Sequence, residues 1–168
     1  AGVLPAAIHA SRTGKTLICP AENGSEAAWS GHEDILAAPS LAALINKGGA
    51  PTPALRRVLH ANYRLGKLEN ALALSEFAAK TNFAPELRAE AIDLLAQWGD
   101  TPKRDLLVGL WRPLVPREAR AASLVFRSPS GDLITRGGEV VRAAAIRAVA
   151  KLGIDSAGSG LFNVFANT

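Results

Sequence analysis

Arg88-Ala89-Glu90-Ala91-Ile92-Asp93-Leu94-Leu95-Ala96-Gln97-Trp98-Gly99 and Arg142-Ala143-Ala144-Ala145-Ile146-Arg147-Ala148-Val149-Ala150-Lys151-Leu152-Gly153 are one motif used twice. Each opens on Arg-Ala, carries apolar residues at three- and four-residue intervals, and closes on a polar residue, a large apolar one and glycine. That spacing predicts a helix with one buried side and a glycine stop. Tyr63-Arg64-Leu65-Gly66 closes on a similar signature, with Gly66 where a left-handed helix cap belongs. Self-similarity of this kind is read before any site, because a lone helical pair cannot bury its apolar face and stacked neighbours can.

Outward from the motif, the punctuation sets the other elements. Thr52-Pro53 predicts a helix start, so residues 53–65 form one helix and a second runs from about Lys67 to Lys80, burying Leu68, Leu72 and Phe77. Pro85 opens a third, with Leu87, Ala91, Leu94, Leu95 and Trp98 inward. The expected buried set also includes Leu55, Leu59, Leu65, Ile146 and Leu152. The intervals separating Gly66, Gly99 and Gly153 are unequal, which places an insertion at about residues 100–120.

Lys47-Gly48-Gly49-Ala50-Pro51 breaks the pattern on the other side and predicts a linker over 47–52. Residues 1–46 then read as a small α/β segment: a helix over Pro5–Ser11, a strand over Thr16–Cys19, a helix after Asn23, an apolar piece over Asp34–Ala37 and a helix over Ser40–Asn46. Asn23 and Glu26 have capping-box spacing. The fold class expected is therefore mainly α, helical repeats preceded by a small α/β segment.

Several functions are disfavoured by composition. Hydrophobic residues are 48% and charged residues 20% of 168, ordinary globular usage without a run long enough to span a bilayer. The net charge is +4, but basic residues never exceed two in a row and aromatics are 5%, a footprint unlike that of a nucleic-acid reader. One cysteine, Cys19, allows no internal disulfide. The sequence contains no Met, so a processed chain or a fragment is expected.

Residues 53 to about 166 resemble the HEAT-repeat region of bacterial membrane-bound or periplasmic dehydrogenase-type proteins of the quinoprotein and cytochrome kind. The likeness lies in Leu55-Arg56-Arg57, Ala61-Asn62-Tyr63-Arg64-Leu65-Gly66, Glu69-Asn70-Ala71, Leu87-Arg88-Ala89-Glu90-Ala91 and Gly109-Leu110-Trp111-Arg112-Pro113-Leu114. It implies an α-solenoid, a periplasmic setting and a spacer or platform, with cofactors carried by other domains.

Residues 2–46 are similar to the closing part of the Lon-protease-like domain of competence-associated magnesium-chelatase-like AAA+ ATPases. The matching stretches are Gly2-Val3-Leu4-Pro5-Ala6-Ala7, Gly14-Lys15-Thr16-Leu17-Ile18-Cys19-Pro20, Glu26-Ala27-Ala28 and Leu36-Ala37-Ala38-Pro39-Ser40-Leu41. That likeness implies a cytoplasmic ATPase piece with a DNA-handling role. Together the two describe a composite chain joined near residue 47.

Candidate chemistry is sparse. Thr13-Gly14-Lys15-Thr16 ends like a phosphate loop, but the required earlier glycine is His9, and a helix precedes it where a strand should. His9, His32 and His60 lie on separate elements without metal spacing, and no nucleophile–base pair stands out. No catalytic, cofactor or metal residue is assigned. The insertion gathers Trp111, Arg112, Arg117 and Arg120 around two prolines, residue types enriched at binding hot spots, and these are the candidate partner-binding residues. The competing expectation is that Trp111 and Leu114 fold back as a structural brace. The functions weighed are a non-catalytic helical-repeat scaffold binding a protein partner or adjacent domains of a parent chain, and a partial AAA+ domain.

Overall fold

The computed structural model describes residues 2–46 and 51–155. It is mainly helical, with seven α-helices and one short two-stranded parallel sheet near the N-terminus among the described residues. The chain divides into two compact units between Val58 and Leu59. Of the linker predicted over 47–52, residues 47–50 lie outside the described residues, while Thr52 already belongs to a helix.

The first unit runs α1 (Leu4–Arg12), β1 (Leu17–Pro20), a 3-10 turn (Ala21–Asn23), α2 (Gly24–Ala28), β2 (Ile35–Ala38) and a second 3-10 turn (Ala42–Asn46). The strands pair in parallel register, Leu17 with Ile35 through Pro20 with Ala38. Ala7, Cys19 and Ala27 form a core between helices and sheet, packed by Val3, Leu17, Ile35 and Ala37. The predicted order of elements is present, although the last is 3-10 rather than α-helical.

Asn23 does not cap α2; its backbone is itself helical and its side chain makes no cap bond. Glu26 reaches the other helix instead, its carboxylate accepting the Leu4 N–H at the start of α1 (3.3 Å). An acidic group there satisfies an amide left over by the first helical turn.

α3 spans Thr52–Leu65, with the Pro51 carbonyl accepting the Ala54 and Leu55 amides. In the second unit follow α4 (Leu68–Ala79), α5 (Pro85–Ala96), α6 (Arg120–Arg136) and α7 (Glu139–Leu152). α4 pairs with α5, and α6 with α7, across short connections; α4 also packs on α6, and α5 most extensively on α7. The result is two helical hairpins side by side. Leu74, Phe77, Ile92, Leu95, Trp98, Phe126, Ile134 and Val141 are among the fully buried side chains of this unit.

The repeated motif has a structural counterpart. Arg88, fourth residue of α5, donates Nε to the Ala78 carbonyl at the end of α4 (2.8 Å), and Arg142, fourth residue of α7, donates Nε to the Ile134 carbonyl near the end of α6 (2.9 Å). In each hairpin the second helix thus supplies a charged donor to the last turn of the first, where carbonyls lack helical partners. Arg147–Asp93 (3.1 Å) and Lys151–Asp100 (2.5 Å) join the outer rims, but exposed pairs of this kind contribute at most about 1 kcal/mol.

α6 contains a proline, Pro129, in its interior. It has no N–H for the Val125 carbonyl one turn back, and the Ser75 hydroxyl on α4 donates to that oxygen (3.1 Å). A side chain of the neighbouring helix thereby replaces the missing bond.

Three expectations need correction. Leu65, Leu68 and Leu72 are not buried: they are 55%, 57% and 45% exposed. α4 is apolar on nearly every side, so periodicity could not select its inner face, which proves to be Ala71, Leu74 and Ala78. Ile146 is only half-buried, whereas Leu55, Leu59, Leu94 and Leu152 are buried. An α-solenoid is not displayed either: the described residues hold two stacked hairpins, fewer than the three or so repeats an array takes.

Candidate functional site

The insertion begins where α5 gives way to Gln97–Gly99 and ends at α6. Gly99 stands where a Cβ would approach the Ala119 Cβ to 3.2 Å, so a side chain there would crowd the returning chain. Residues 103–112 form a small hairpin. Arg104 and Trp111 make an antiparallel bridge, the Arg112 N–H donates to the Lys103 carbonyl (3.0 Å) and the Asp105 N–H to the Leu110 carbonyl (2.8 Å).

Asp105 organises the turn. Its Oδ1 accepts the Leu107 and Val108 amides (2.9 and 3.1 Å), its carbonyl accepts the Gly109 N–H (2.9 Å), and its Oδ2 lies 3.5 Å from Arg64. Arg104 Nη1 donates to the Gly109 carbonyl (3.0 Å). Burial pushes the Asp105 carboxyl up, but the two amides and the Arg64 and Arg112 charges outweigh it and hold the group below the usual carboxylate value. The sequence reading missed Asp105; the signals available were an Asp, which can bond the backbone two residues on, and a Gly, Gly109, four residues later.

Arg117 is the centre of the second cluster. Its guanidinium carbon lies 4.4 Å from the Tyr63 ring centroid and 4.1 Å from that of Trp98, and the two rings meet edge-on at 6.0 Å. Nε donates to the Trp98 carbonyl (2.7 Å) and Nη1 to the Tyr63 carbonyl, while Nη2 is buried without an acceptor among the described residues. Burial moves the guanidinium below its ordinary pKa, partly offset by Tyr63. Burial likewise raises the Tyr63 phenol, whose hydroxyl is placed to donate to the Asp100 carbonyl (2.8 Å), with the Gln97 carbonyl at 3.1 Å. Between Arg64–Gly66 and Pro113–Arg117 lies a cleft of about 390 Å³.

The four candidate residues are therefore not brought to one point. Arg117 has its guanidinium engaged internally, and Arg120 is exposed at the first residue of α6. Trp111 and Arg112 are both exposed on the hairpin; Trp111 is 62% exposed, with the Lys103 Nζ at 5.9 Å from its ring, and the Arg112 carbonyl accepts both Arg64 Nη groups (3.3 Å each). The brace expected of Trp111 is supplied by Arg117, and Leu114 is half-buried.

The other motifs resolve simply. The Thr13, Gly14 and Lys15 amides donate back to carbonyls of α1, so they close a helix instead of cradling a phosphate. His60 is buried with its Nε2 2.9 Å from Glu90, and the His32 Nε2 meets the Lys15 carbonyl (2.9 Å). Among the described residues no group of three or more His, Cys, Asp or Glu could hold a metal ion, and no helix is long and apolar enough to cross a membrane. Comparisons with family models, with curated proteins and with solved structures give no match.

Proposed function

We propose that this chain is a non-catalytic, HEAT-like helical-repeat module that holds a protein partner or adjacent domains of a longer parent chain. The observation that carries the reading is the pair of equivalent arginines, Arg88 and Arg142, each the fourth residue of its helix and each tying down the end of the helix before it. Equivalent residues in equivalent contacts are what repeated units produce, and stacking of α4 on α6 and α5 on α7 is how such units bury their faces. The exposed row Leu65, Leu68 and Leu72 fits the same reading, since the end of a short stack leaves apolar surface for a further element.

Two measurements test it. Appending a second copy of residues 120–155 after residue 155 raises the melting temperature if the hairpins stack as repeats; an unchanged transition counts against the array. Magnesium-ATP produces no thermal shift if the module is a scaffold, whereas a shift abolished by Lys15→Ala returns the chain to the AAA+ class.

A further inference from the structure

The hairpin at residues 103–112 sets apolar and basic side chains together on an exposed surface. It exposes Leu106, Val108, Leu110 and Trp111 by 46%, 55%, 53% and 62%, and Val115 beyond it is 83% exposed. Among them stand the exposed cations Lys103, Arg104 and Arg112, Arg104 bridged to Trp111 and reaching the Gly109 carbonyl, and the one carboxylate within the hairpin, Asp105, is buried beside Arg64. The outward charge of the hairpin is therefore basic, directly beside its apolar side chains.

Part of the hairpin backbone is satisfied internally. The amides of Asp105, Leu107, Val108 and Gly109 and the carbonyls of Asp105, Gly109 and Leu110 all find partners within the hairpin. A protein segment leaving water for a lipid phase loses less where its polar backbone is paired internally, and these seven groups of the hairpin are paired before any partner arrives. Trp prefers the headgroup boundary, while Lys and Arg extend from apolar surroundings towards anionic headgroups. Exposed apolar side chains flanked by cations match such a surface in polarity and charge.

We infer that the 103–112 hairpin is a membrane-surface anchor, seating Leu106, Val108, Leu110 and Trp111 in the interfacial layer of an anionic lipid surface with Lys103 and Arg112 on its headgroups. This stands on the hairpin alone and survives failure of the repeat reading. It also needs no spanning helix.

The full chain carrying Trp29→Phe is mixed with vesicles of phosphatidylcholine, alone or with phosphatidylglycerol, and followed by co-sedimentation and tryptophan emission. The protein partitions onto the anionic vesicles, binding weakens as salt rises, and brominated acyl chains quench Trp111. Leu110→Ser and Lys103→Glu each lower partitioning by about tenfold while the circular dichroism stays unchanged. Quenching is read on the unaltered hairpin, so it decides the matter even if Leu110→Ser misfolds. Absence of vesicle binding, binding without quenching, or binding only to an acidic polypeptide such as polyglutamate overturns the inference.

Discussion

The guanidinium of Arg117 lies 4.1 Å from the ring centroid of Trp98 and donates to the carbonyl of the same residue, so one side chain fixes both the ring and the backbone where α5 ends. The same guanidinium lies 4.4 Å from the ring centroid of Tyr63, at the end of α3. Two charged hydrogen bonds and two ring contacts outweigh the cost of leaving Nη2 buried and unsatisfied. Arg117→Ala is expected to lower stability by about 2–4 kcal/mol in urea unfolding. Arg117→Lys should recover little of it, because an ammonium has neither the planar stack nor the fork geometry. Full recovery by lysine would mean that charge alone matters.

Gly66 and Gly153 provide a controlled comparison. Both are left-handed, with φ of +69° and +63°, so alanine at either strains the backbone by about 1–2 kcal/mol. At Gly153 the added methyl meets nothing within 4 Å, whereas at Gly66 it runs into the Arg117 guanidinium. Gly66→Ala should therefore be the more destabilising of the two, and the excess should shrink in an Arg117→Ala background. Equal costs for the two alanines would show that the guanidinium moves aside freely.

The two positions also show what could be read from sequence. A glycine after a polar and a large apolar residue marked the α3 and α7 stops because only local geometry was involved. That Arg117 would pack on both Tyr63 and Trp98 depends on a contact 54 residues apart, and nothing local encodes it. The inner side of α4 is not legible locally for a related reason: Leu68-Glu69-Asn70-Ala71-Leu72-Ala73-Leu74 offers apolar residues in several directions, and the choice falls to α5 and α6. Along α5, by contrast, Glu90 and Asp93 leave a narrower choice, and Leu87, Ala91, Leu94, Leu95 and Trp98 are buried as expected. The exposed Trp111 could be foreseen only as an alternative, since the same residue suits a brace and a contact surface.

Asp105 predicts an acid response confined to the hairpin. Its pKa is lower in the folded chain than the ordinary 3.8, so the ionised form favours folding. The stabilisation is complete above that ordinary value and is lost as pH falls through it towards the lower folded one. Fluorine NMR of 5-fluorotryptophan at Trp111 should report loosening of the hairpin in that acidic range. Asp105→Asn retains an oxygen for the Leu107 and Val108 amides but no charge for Arg64, and should flatten this response. An identical acid profile in the variant would place the titrating group elsewhere.

Ser75 and Pro129 should be thermodynamically coupled although they sit on different helices. Pro129 deprives the Val125 carbonyl of its helical donor, and the Ser75 hydroxyl takes over that oxygen at 3.1 Å. Ser75 is 3% exposed, so water cannot readily stand in for it. Ser75→Ala should cost about 1–3 kcal/mol in the native background, the penalty for stranding a carbonyl inside a helix pair. Pro129→Ala restores an N–H one turn after Val125, and in that background the same serine change should cost markedly less. The difference, measured as a double-mutant cycle from urea unfolding, should reach about 1 kcal/mol, as for residues that share a hydrogen-bonding partner. Additive costs would show that the helix satisfies Val125 by another route; a full coupling would show that the α4–α6 contact is what allows a proline in the middle of α6.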